Sequence, residues 1–185
     1  MKKWLIPIAV VVILAVMLIS GYNNLVQSSE TVNSNWSQVQ NQLQRRADLI
    51  PNLVETVKGY AAQEKDIFTQ VAEDRAKLAG AATVGDAAQA DQALTGSLGR
   101  LLAIAENYPQ LKSNANFQAL QDELAGTENR IAVARMDYNN SVQVYNAKIK
   151  TFPTSLYAGL FGFTQREYFQ ASESASEVPA VNFPQ

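Results

Sequence analysis

The sequence predicts an all-α protein, in which a single N-terminal transmembrane helix continues into an elongated antiparallel bundle of three long helices with a possible short fourth. Three observations predict this class. Residues 4–22 carry no charged side chain. From Tyr22 to Leu78, apolar positions recur every three or four residues, as they do on one face of a helix. No segment shows the strict alternation of apolar and polar residues that indicates a β-strand.

The apolar segment at residues 4–22 has the length of a membrane-spanning helix, because crossing ~30 Å of hydrocarbon takes about 20 residues. Trp4 and Tyr22 stand at its two ends, where interfacial aromatic anchors are found. The alternative is a cleaved signal peptide, which also has a short basic tip and an apolar core. Leu18 and Ser20 do not form the small-residue cleavage pattern of such peptides. We therefore expect a retained anchor whose partner is the lipid bilayer.

The basic residues around this segment predict its orientation. Lys2 and Lys3 lie before it, whereas the first basic residue after it is Arg45. The positive-inside rule then predicts a cytoplasmic N-terminus and a bundle domain on the opposite side of the membrane.

The first bundle helix is predicted from a stripe whose mean step of about 3.5 residues is that of a left-handed coiled coil. Pro51 interrupts this stripe, and a proline inside a helix removes one hydrogen bond and produces a kink. Because the stripe keeps its phase across Pro51, we expect one helix from Tyr22 to Leu78 with a kink near Ala47. The alternative is a fresh helix capped by Asp48. The stripe consists of Leu25, Ser29, Val32, Trp36, Val39, Leu43, Arg46, Ile50, Leu53, Val57, Tyr60, Glu64, Ile67, Val71, Arg75 and Leu78.

The second long helix is predicted between a loop of small residues at Gly80–Gly85 and the Tyr108-Pro109 pair, where proline ends it. Asp86 is the candidate N-cap of this helix, because its carboxylate can accept from the free N–H groups of the first turn. Its apolar positions are Leu94, Leu98, Leu101, Leu102, Ile104 and Ala105.

The third long helix is predicted to begin near Asn114 or Asn116, either of which can cap it, and to end at Phe152-Pro153. A short fourth helix is predicted over Thr154–Phe163. The following residues are rich in Ser, Glu, Pro and Ala, which is typical of a disordered tail.

The domain boundaries follow from these elements. Residues 1–22 form the N-terminal tip and transmembrane helix, residues 23–170 form the helical bundle domain, and residues 171–185 form the disordered tail.

The composition argues against several kinds of site. The chain has no cysteine and no histidine, which removes thiolate ligands, the commonest metal ligand and the usual general base at neutral pH. With 15 basic and 17 acidic residues its net charge is −2, so it lacks the basic footprint of a nucleic-acid-binding protein. We therefore expect no enzyme, no catalytic residues, no metal, no cofactor and no small-molecule substrate.

Polar residues nevertheless fall in or beside the seams of the first and third helices. We interpret them as an interhelical ion-pair network that sets register and antiparallel alignment; the alternative is a patch that binds a partner or ligand. The residues are Arg45, Arg46, Asp48, Asn52 and Glu55 on the first helix, with Glu128, Asn129, Arg130 and Arg135 on the third.

An apolar stretch follows the third helix and forms a candidate interface. One interpretation is that it caps the open end of the bundle. The other is that it makes a subunit contact or lies in the membrane interface. Its residues are Leu156, Tyr157, Leu160, Phe161 and Phe163.

Several strings resemble the LemA family. The most specific is QLQRRADLIPNLVETVKGYA at Gln42–Ala61, and ELAGTENRIAVAR at Glu123–Arg135 and YPQLK at Tyr108–Lys112 agree with it. The resemblance implies a bacterial membrane-anchored helical bundle, which places the chain in the inner (cytoplasmic) membrane as a single-pass protein. A relative that acts in building magnetosome membranes makes a membrane-organising role an analogy.

Two functions fit these features. The first is a non-catalytic scaffold or adaptor of the bacterial envelope, which forms a homo-oligomer or binds other membrane proteins and organises membrane. The alternative is a ligand-binding or sensory helical domain that is coupled to a membrane partner through its anchor.

Overall fold

The computed structural model describes residues 5–170, and this part of the chain is helical without a β-strand, which confirms the all-α class. Lys2, Lys3, Trp4 and the predicted tail at 171–185 lie outside the described residues. Five α-helices follow one another: α1 Leu5–Lys58, α2 Lys65–Ala79, α3 Val84–Ala105, α4 Pro109–Lys112 and α5 Ala115–Lys150. Two 3₁₀ turns follow them, at Thr154–Leu156 and Gly159–Phe161.

The chain divides into two compact units, and both long helices contribute to each of them. Among the described residues, the two-helix unit combines residues 5–38 with Met136–Glu167. The multi-helix unit combines Val39–Arg135 with residues 168–170. The predicted domain boundaries at residues 22 and 170 stay predictions.

The apolar start of α1 does not contribute to the protein core. Within residues 5–170, α1 is the one helix that is long and apolar enough to cross a membrane. Its most apolar 18-residue window has a mean hydropathy of 2.2, and no part of that window is buried. The first fully buried side chain of the helix is Leu25.

The core of the multi-helix unit forms where the apolar faces of its helices meet. Helices α2 and α3 pack against each other, and the second part of α1 and the first part of α5 bury their stripes in the same unit. Each fully buried Leu, Ile or Phe contributes about 1.5–3 kcal/mol to folding. The largest buried side chains are Ile50, Leu53, Val57, Leu94, Leu101, Leu111, Phe117 and Ile131.

The predicted continuous helix from Tyr22 to Leu78 is wrong at one point. Helix α1 runs through Pro51 without restarting at Asp48, but it ends at Lys58, and α2 begins only at Lys65. Glycine at position 59 weakens the helix at this point by about 1 kcal/mol relative to alanine. The chain then turns through Ala61, whose N–H donates to the Val57 carbonyl and whose side chain is fully buried.

Pro51 leaves one carbonyl of α1 without its helical donor, and α2 supplies the replacement. The proline has no N–H for the carbonyl of Ala47, four residues earlier, and Ala47 is buried. The guanidinium Nε of Arg75 donates to this carbonyl oxygen at 2.7 Å. The proline therefore creates the acceptor that attaches α2 to α1.

The starts of α3 and α5 are capped by side chains. Thr83 caps α3 and forms a capping box with Asp86, so Asp86 lies in the first turn and is not the N-cap that the sequence predicts. The reason is that the threonine hydroxyl completes the reciprocal pair three residues earlier. Asn114 caps α5, since its Oδ1 accepts from the N–H groups of Asn116 and Phe117.

In the two-helix unit, α1 and α5 run antiparallel. Asn35 donates to the backbone carbonyl of Asp137, and the Lys148 ammonium donates to Asn24 and Ser28. The contacts pair the early part of α1 with the late part of α5. The buried side chains between them include Leu25, Val32, Tyr138, Val142 and Tyr145.

The possible short fourth helix over Thr154–Phe163 takes the form of two 3₁₀ turns, at Thr154–Leu156 and Gly159–Phe161. Pro153 cannot continue a helical hydrogen-bond ladder. Gly162 adopts the left-handed conformation with φ = 79°, which favours glycine and ends the second turn. The chain then returns along α5, where the Asn146 side chain pairs with the backbone of Arg166.

We predict that replacing Arg75 with methionine lowers the free energy of unfolding by about 1–3 kcal/mol, because the buried Ala47 carbonyl then has no donor. The measurement is thermal unfolding of the full-length chain in mild detergent, followed by circular dichroism. In a Pro51→Ala background the backbone N–H of residue 51 returns to this carbonyl, so Arg75→Met loses most of its effect. An equal effect in both backgrounds contradicts the assignment.

Candidate functional site

The strongest polar feature of the multi-helix unit is a buried ion-pair cluster around Arg46. Its guanidinium donates to Asp91 at 2.7 Å, forms an ion pair with Glu128 at 2.9 Å and donates to the Thr95 hydroxyl at 2.9 Å. Only 5% of the Arg46 side chain and 4% of the Asp91 side chain are exposed. One side chain of α1 therefore joins α3 and α5, because Asp91 and Thr95 lie on α3 and Glu128 lies on α5.

Arg135 adds a second cation to this cluster. Its guanidinium lies 3.9 Å from the other carboxylate oxygen of Asp91. The same guanidinium lies over the ring of Phe169, 4.6 Å from the centroid, in the geometry of a cation–π contact. Both residues belong to the multi-helix unit, and Phe169 is buried.

The carboxyl group of Asp91 is held in an unfavourable environment for its charge. Burial raises the pKa of Asp91 above its usual value. The charge of Arg46 opposes this shift, while that of Glu128 adds to it. Burial has the larger effect because the group is removed from water, which disfavours the ionised form.

A second, exposed cluster surrounds Glu123. Arg45 donates to its carboxylate through Nε and Nη2, at 3.0 and 2.7 Å, and Arg130 donates at 2.8 Å. The hydrogen bond from Arg45, with the charges of both arginines, holds the pKa of Glu123 below its usual value. These contacts join α1 to α5 at the surface, where an ion pair contributes little to stability.

The structure brings five of the nine predicted network residues into these two clusters: Arg45, Arg46, Glu128, Arg130 and Arg135. The other four do not join them. Asp48 accepts from Gln44 and Glu55 pairs with Lys58, both within α1. Asn52 and Asn129 are exposed, and the Asn52 backbone carbonyl accepts from Thr56.

Sequence reasoning missed both central carboxylates, Asp91 and Glu123. Asp91 carried a usable signal, because it stands three and seven residues before Leu94 and Leu98 and therefore shares the apolar face of α3. A charge on a buried face needs a partner of opposite sign. Glu123 offered no comparable signal, since the residues three and four positions after it are Gly126 and Thr127 and do not continue an apolar face.

The predicted interface residues lie in the two-helix unit. Tyr157 is buried, Phe163 is half-buried, and Leu156, Leu160 and Phe161 are exposed. The rings of Phe161 and Phe163 both pack edge-on against Tyr22, at centroid distances of 5.2 and 5.7 Å. The stretch is therefore seated on the helix that carries the apolar segment.

The Arg46 cluster has a structural role, because it holds helices together. The donors of Arg46 are aimed at protein acceptors on two other helices, and the most exposed charged side chain of the cluster is Glu128, which is 46% accessible. Within residues 5–170, no group of three carboxylates comes together in a way that could hold a metal ion.

Comparison with known proteins identifies related chains. A model of the LemA family matches residues 35–183. The chain is 30% identical to Magnetosome protein MamQ 2 of Paramagnetospirillum magneticum, in an alignment that covers 95% of this chain and 74% of the relative. It is also 30% identical to Magnetosome protein MamQ of Magnetospirillum gryphiswaldense, over 89% of this chain and 70% of the relative. Identity to Protein LemA of Metamycoplasma hominis is 24%, over 82% and 69%.

We predict that Arg46→Met destabilises the protein by about 3–5 kcal/mol, because the buried Asp91 loses its 2.7 Å ion pair and keeps only the 3.9 Å contact with Arg135. Thermal unfolding of the full-length chain in mild detergent measures this loss. The double variant Arg46→Met/Asp91→Leu should recover most of the lost stability, since it removes both buried charges. The matched control is Arg45→Met, whose side chain is 58% exposed and whose loss should have little effect. Similar losses of stability at Arg46 and Arg45 would refute the distinction between a buried and an exposed ion pair.

We predict that the contribution of Asp91 to stability decreases as the pH rises. A carboxyl group whose pKa is raised by folding binds its proton more tightly in the folded state. Its stabilising effect is complete below the unfolded pKa of about 3.9 and is lost as the pH rises through the folded pKa. The measurement is the difference in melting temperature between the wild type and Asp91→Asn from acid to neutral pH, which cancels the other titrating groups. A difference that grows in favour of the wild type with rising pH contradicts this sign.

Proposed function

This chain belongs to the LemA family, and from that premise we propose that it is a membrane-anchored, non-catalytic helical scaffold of the bacterial envelope. In this role it self-associates or binds other membrane proteins. Its apolar helix and its relatives both indicate a membrane-associated protein; the scaffold role is the part that we add.

The observation that carries the proposal is the continuity of α1. One uninterrupted helix contains an apolar segment with no buried surface and, further along, the stripe on which the helical core is built. The covalent link from the apolar segment to the core of the two-helix unit, which begins at Leu25, therefore has helical stiffness and is not a flexible linker. A stiff link favours a protein that holds partners at a fixed place relative to the membrane.

The family-like string at Gln42–Ala61 also supports a non-catalytic role. Its charged residue Arg46 is buried in an ion pair, its Pro51 creates the acceptor for Arg75, and its Ile50 and Leu53 are core residues. These side chains build the fold and are not presented to a substrate. The string that distinguishes the family thus has an architectural explanation.

The location that we propose is the inner membrane, crossed once, with the N-terminus in the cytoplasm and the helical domain outside. Support comes from the basic pair Lys2 and Lys3 in the sequence before the apolar segment, by the positive-inside rule. The similarity to two magnetosome proteins supports the further proposal that the scaffold organises membrane.

The experiment extracts the full-length chain into native nanodiscs and measures its mass by mass photometry. We expect a defined multimer, because most homo-oligomers have closed symmetry and therefore a fixed copy number. Arg45→Met serves as a control variant whose fold and mass should equal those of the wild type.

A monomer at every concentration overturns self-association. Crosslinking in the native membrane then tests whether the chain instead binds other membrane proteins, as an adaptor does. If a monomeric chain also crosslinks to no membrane protein, the scaffold role is refuted.

A further inference from the structure

The segment after α5 is seated on the last turn of the apolar part of α1. The ring of Tyr157 lies against the bare backbone of Gly21, where the Cβ of any other residue would overlap the tyrosine hydroxyl. The next residue, Tyr22, is packed edge-on by Phe161 and Phe163. This contact therefore lies at the end of the predicted membrane span, within the two-helix unit.

This segment presents apolar side chains outward beside the span. We call residues 152–163 the apolar turn. Leu160 is 86% exposed and Leu156 is 69% exposed, and Phe152 and Phe161 are also exposed. Large apolar side chains that are exposed together mark a surface that another phase or molecule covers.

The charges around the apolar turn favour a lipid surface as its cover. The segment from Tyr138 to Arg166 contains no acidic residue, although the whole chain has 17 of them. It carries three cations, Lys148, Lys150 and Arg166, and no charged residue occurs in α1 before Glu30. Cations next to an apolar surface are the arrangement of interfacial segments that anionic headgroups attract.

We propose that the apolar turn inserts into the headgroup and acyl boundary of the same bilayer that α1 crosses, as a second point of membrane contact. The inference rests on the proposed function in one respect, that α1 spans the bilayer. The bilayer is the favoured occupant because the turn packs on Tyr22, so its apolar surface continues that of the span. A second copy of the chain is the competing occupant.

The consequence of this contact is a fixed orientation of the two-helix unit on the membrane. A single span is free to tilt and rotate unless neighbouring helices or interfacial residues restrain it. An interfacial segment of this kind buries its apolar face about 5–10 Å deep. With the span and the turn both held, the antiparallel α1 and α5 leave the membrane at one angle.

The test uses single-cysteine variants of the full-length chain, which has no native cysteine. Leu160→Cys is labelled with the environment-sensitive dye NBD and reconstituted into vesicles of phosphatidylethanolamine and phosphatidylglycerol. A matched set of vesicles contains doxyl-labelled phosphatidylcholine, which quenches dyes that reach the lipid. We expect a blue-shifted emission at position 160 and loss of most of its intensity in the doxyl vesicles.

Two control positions calibrate this result. Met136→Cys is the aqueous control, because Met136 is apolar and 56% exposed but lies about 21 Å from Lys150 along α5 at 1.5 Å per residue. Val12→Cys is the membrane control, because Val12 is exposed in the apolar part of α1. Melting temperatures of the labelled variants show whether each has kept its fold.

Each outcome decides the proposal. Quenching at 12 and 160 but not at 136 supports it. Quenching at 12 alone, with position 160 behaving like position 136, overturns the interfacial contact and leaves the anchor intact. A blue-shifted dye at 160 that is unquenched and reverts on dilution with lipid shows that a second copy covers the turn, which also overturns it. Absence of quenching at position 12 shows that the anchor itself has failed, and with it this inference.

Discussion

The ion pair between Arg46 and Asp91 is the interaction on which the arrangement of the multi-helix unit depends. It is buried, and it joins α1 to α3 while the same guanidinium reaches Glu128 on α5. The next residue of α1, Ala47, offers its carbonyl to Arg75 on α2. Two consecutive residues of one helix therefore make directional contacts with three others, and these contacts set where each of those helices can lie.

Apolar packing alone would not determine this arrangement so closely. The stripes of these helices are built largely of Leu, Ala and Val, and a shift of one helical turn would bring similar side chains together. A shift of that size would leave Arg46 without Asp91 and would leave both charges buried, at a cost of several kcal/mol. The buried pair thus disfavours alternative registers more than it stabilises the native one, a role that is well attested for single polar residues in helical bundles.

The sequence predicts those parts of the fold whose signals are local in the chain, and it does not reveal the others. Helix α5 and its Asn114 cap were predictable because the apolar stripe and the capping residue are local features. The break after Lys58 was not, because Val57 and Ile67 are both buried and the stripe keeps its phase through the loop. The bond from Arg75 was hidden for a different reason: its acceptor is a backbone carbonyl, which no pattern of side chains reveals. Asp91 shares the face of Leu94 and Leu98, but the part of the stripe that precedes it consists of alanines and is a weak signal.

Gly21 lies where the exposed apolar surface of α1 meets a surface that packs against protein. A bilayer alone would favour a large apolar residue at this position, such as Leu18 and Ile19, and a glycine within a helix costs about 1 kcal/mol relative to alanine. The structure gives the reason for the glycine, since the Tyr157 ring occupies the space of its missing side chain. The last turn of the apolar segment therefore has a protein-facing side as well as an exposed one. A helix that served only to cross a membrane would not need that side, so the end of the apolar segment is also part of the folded unit.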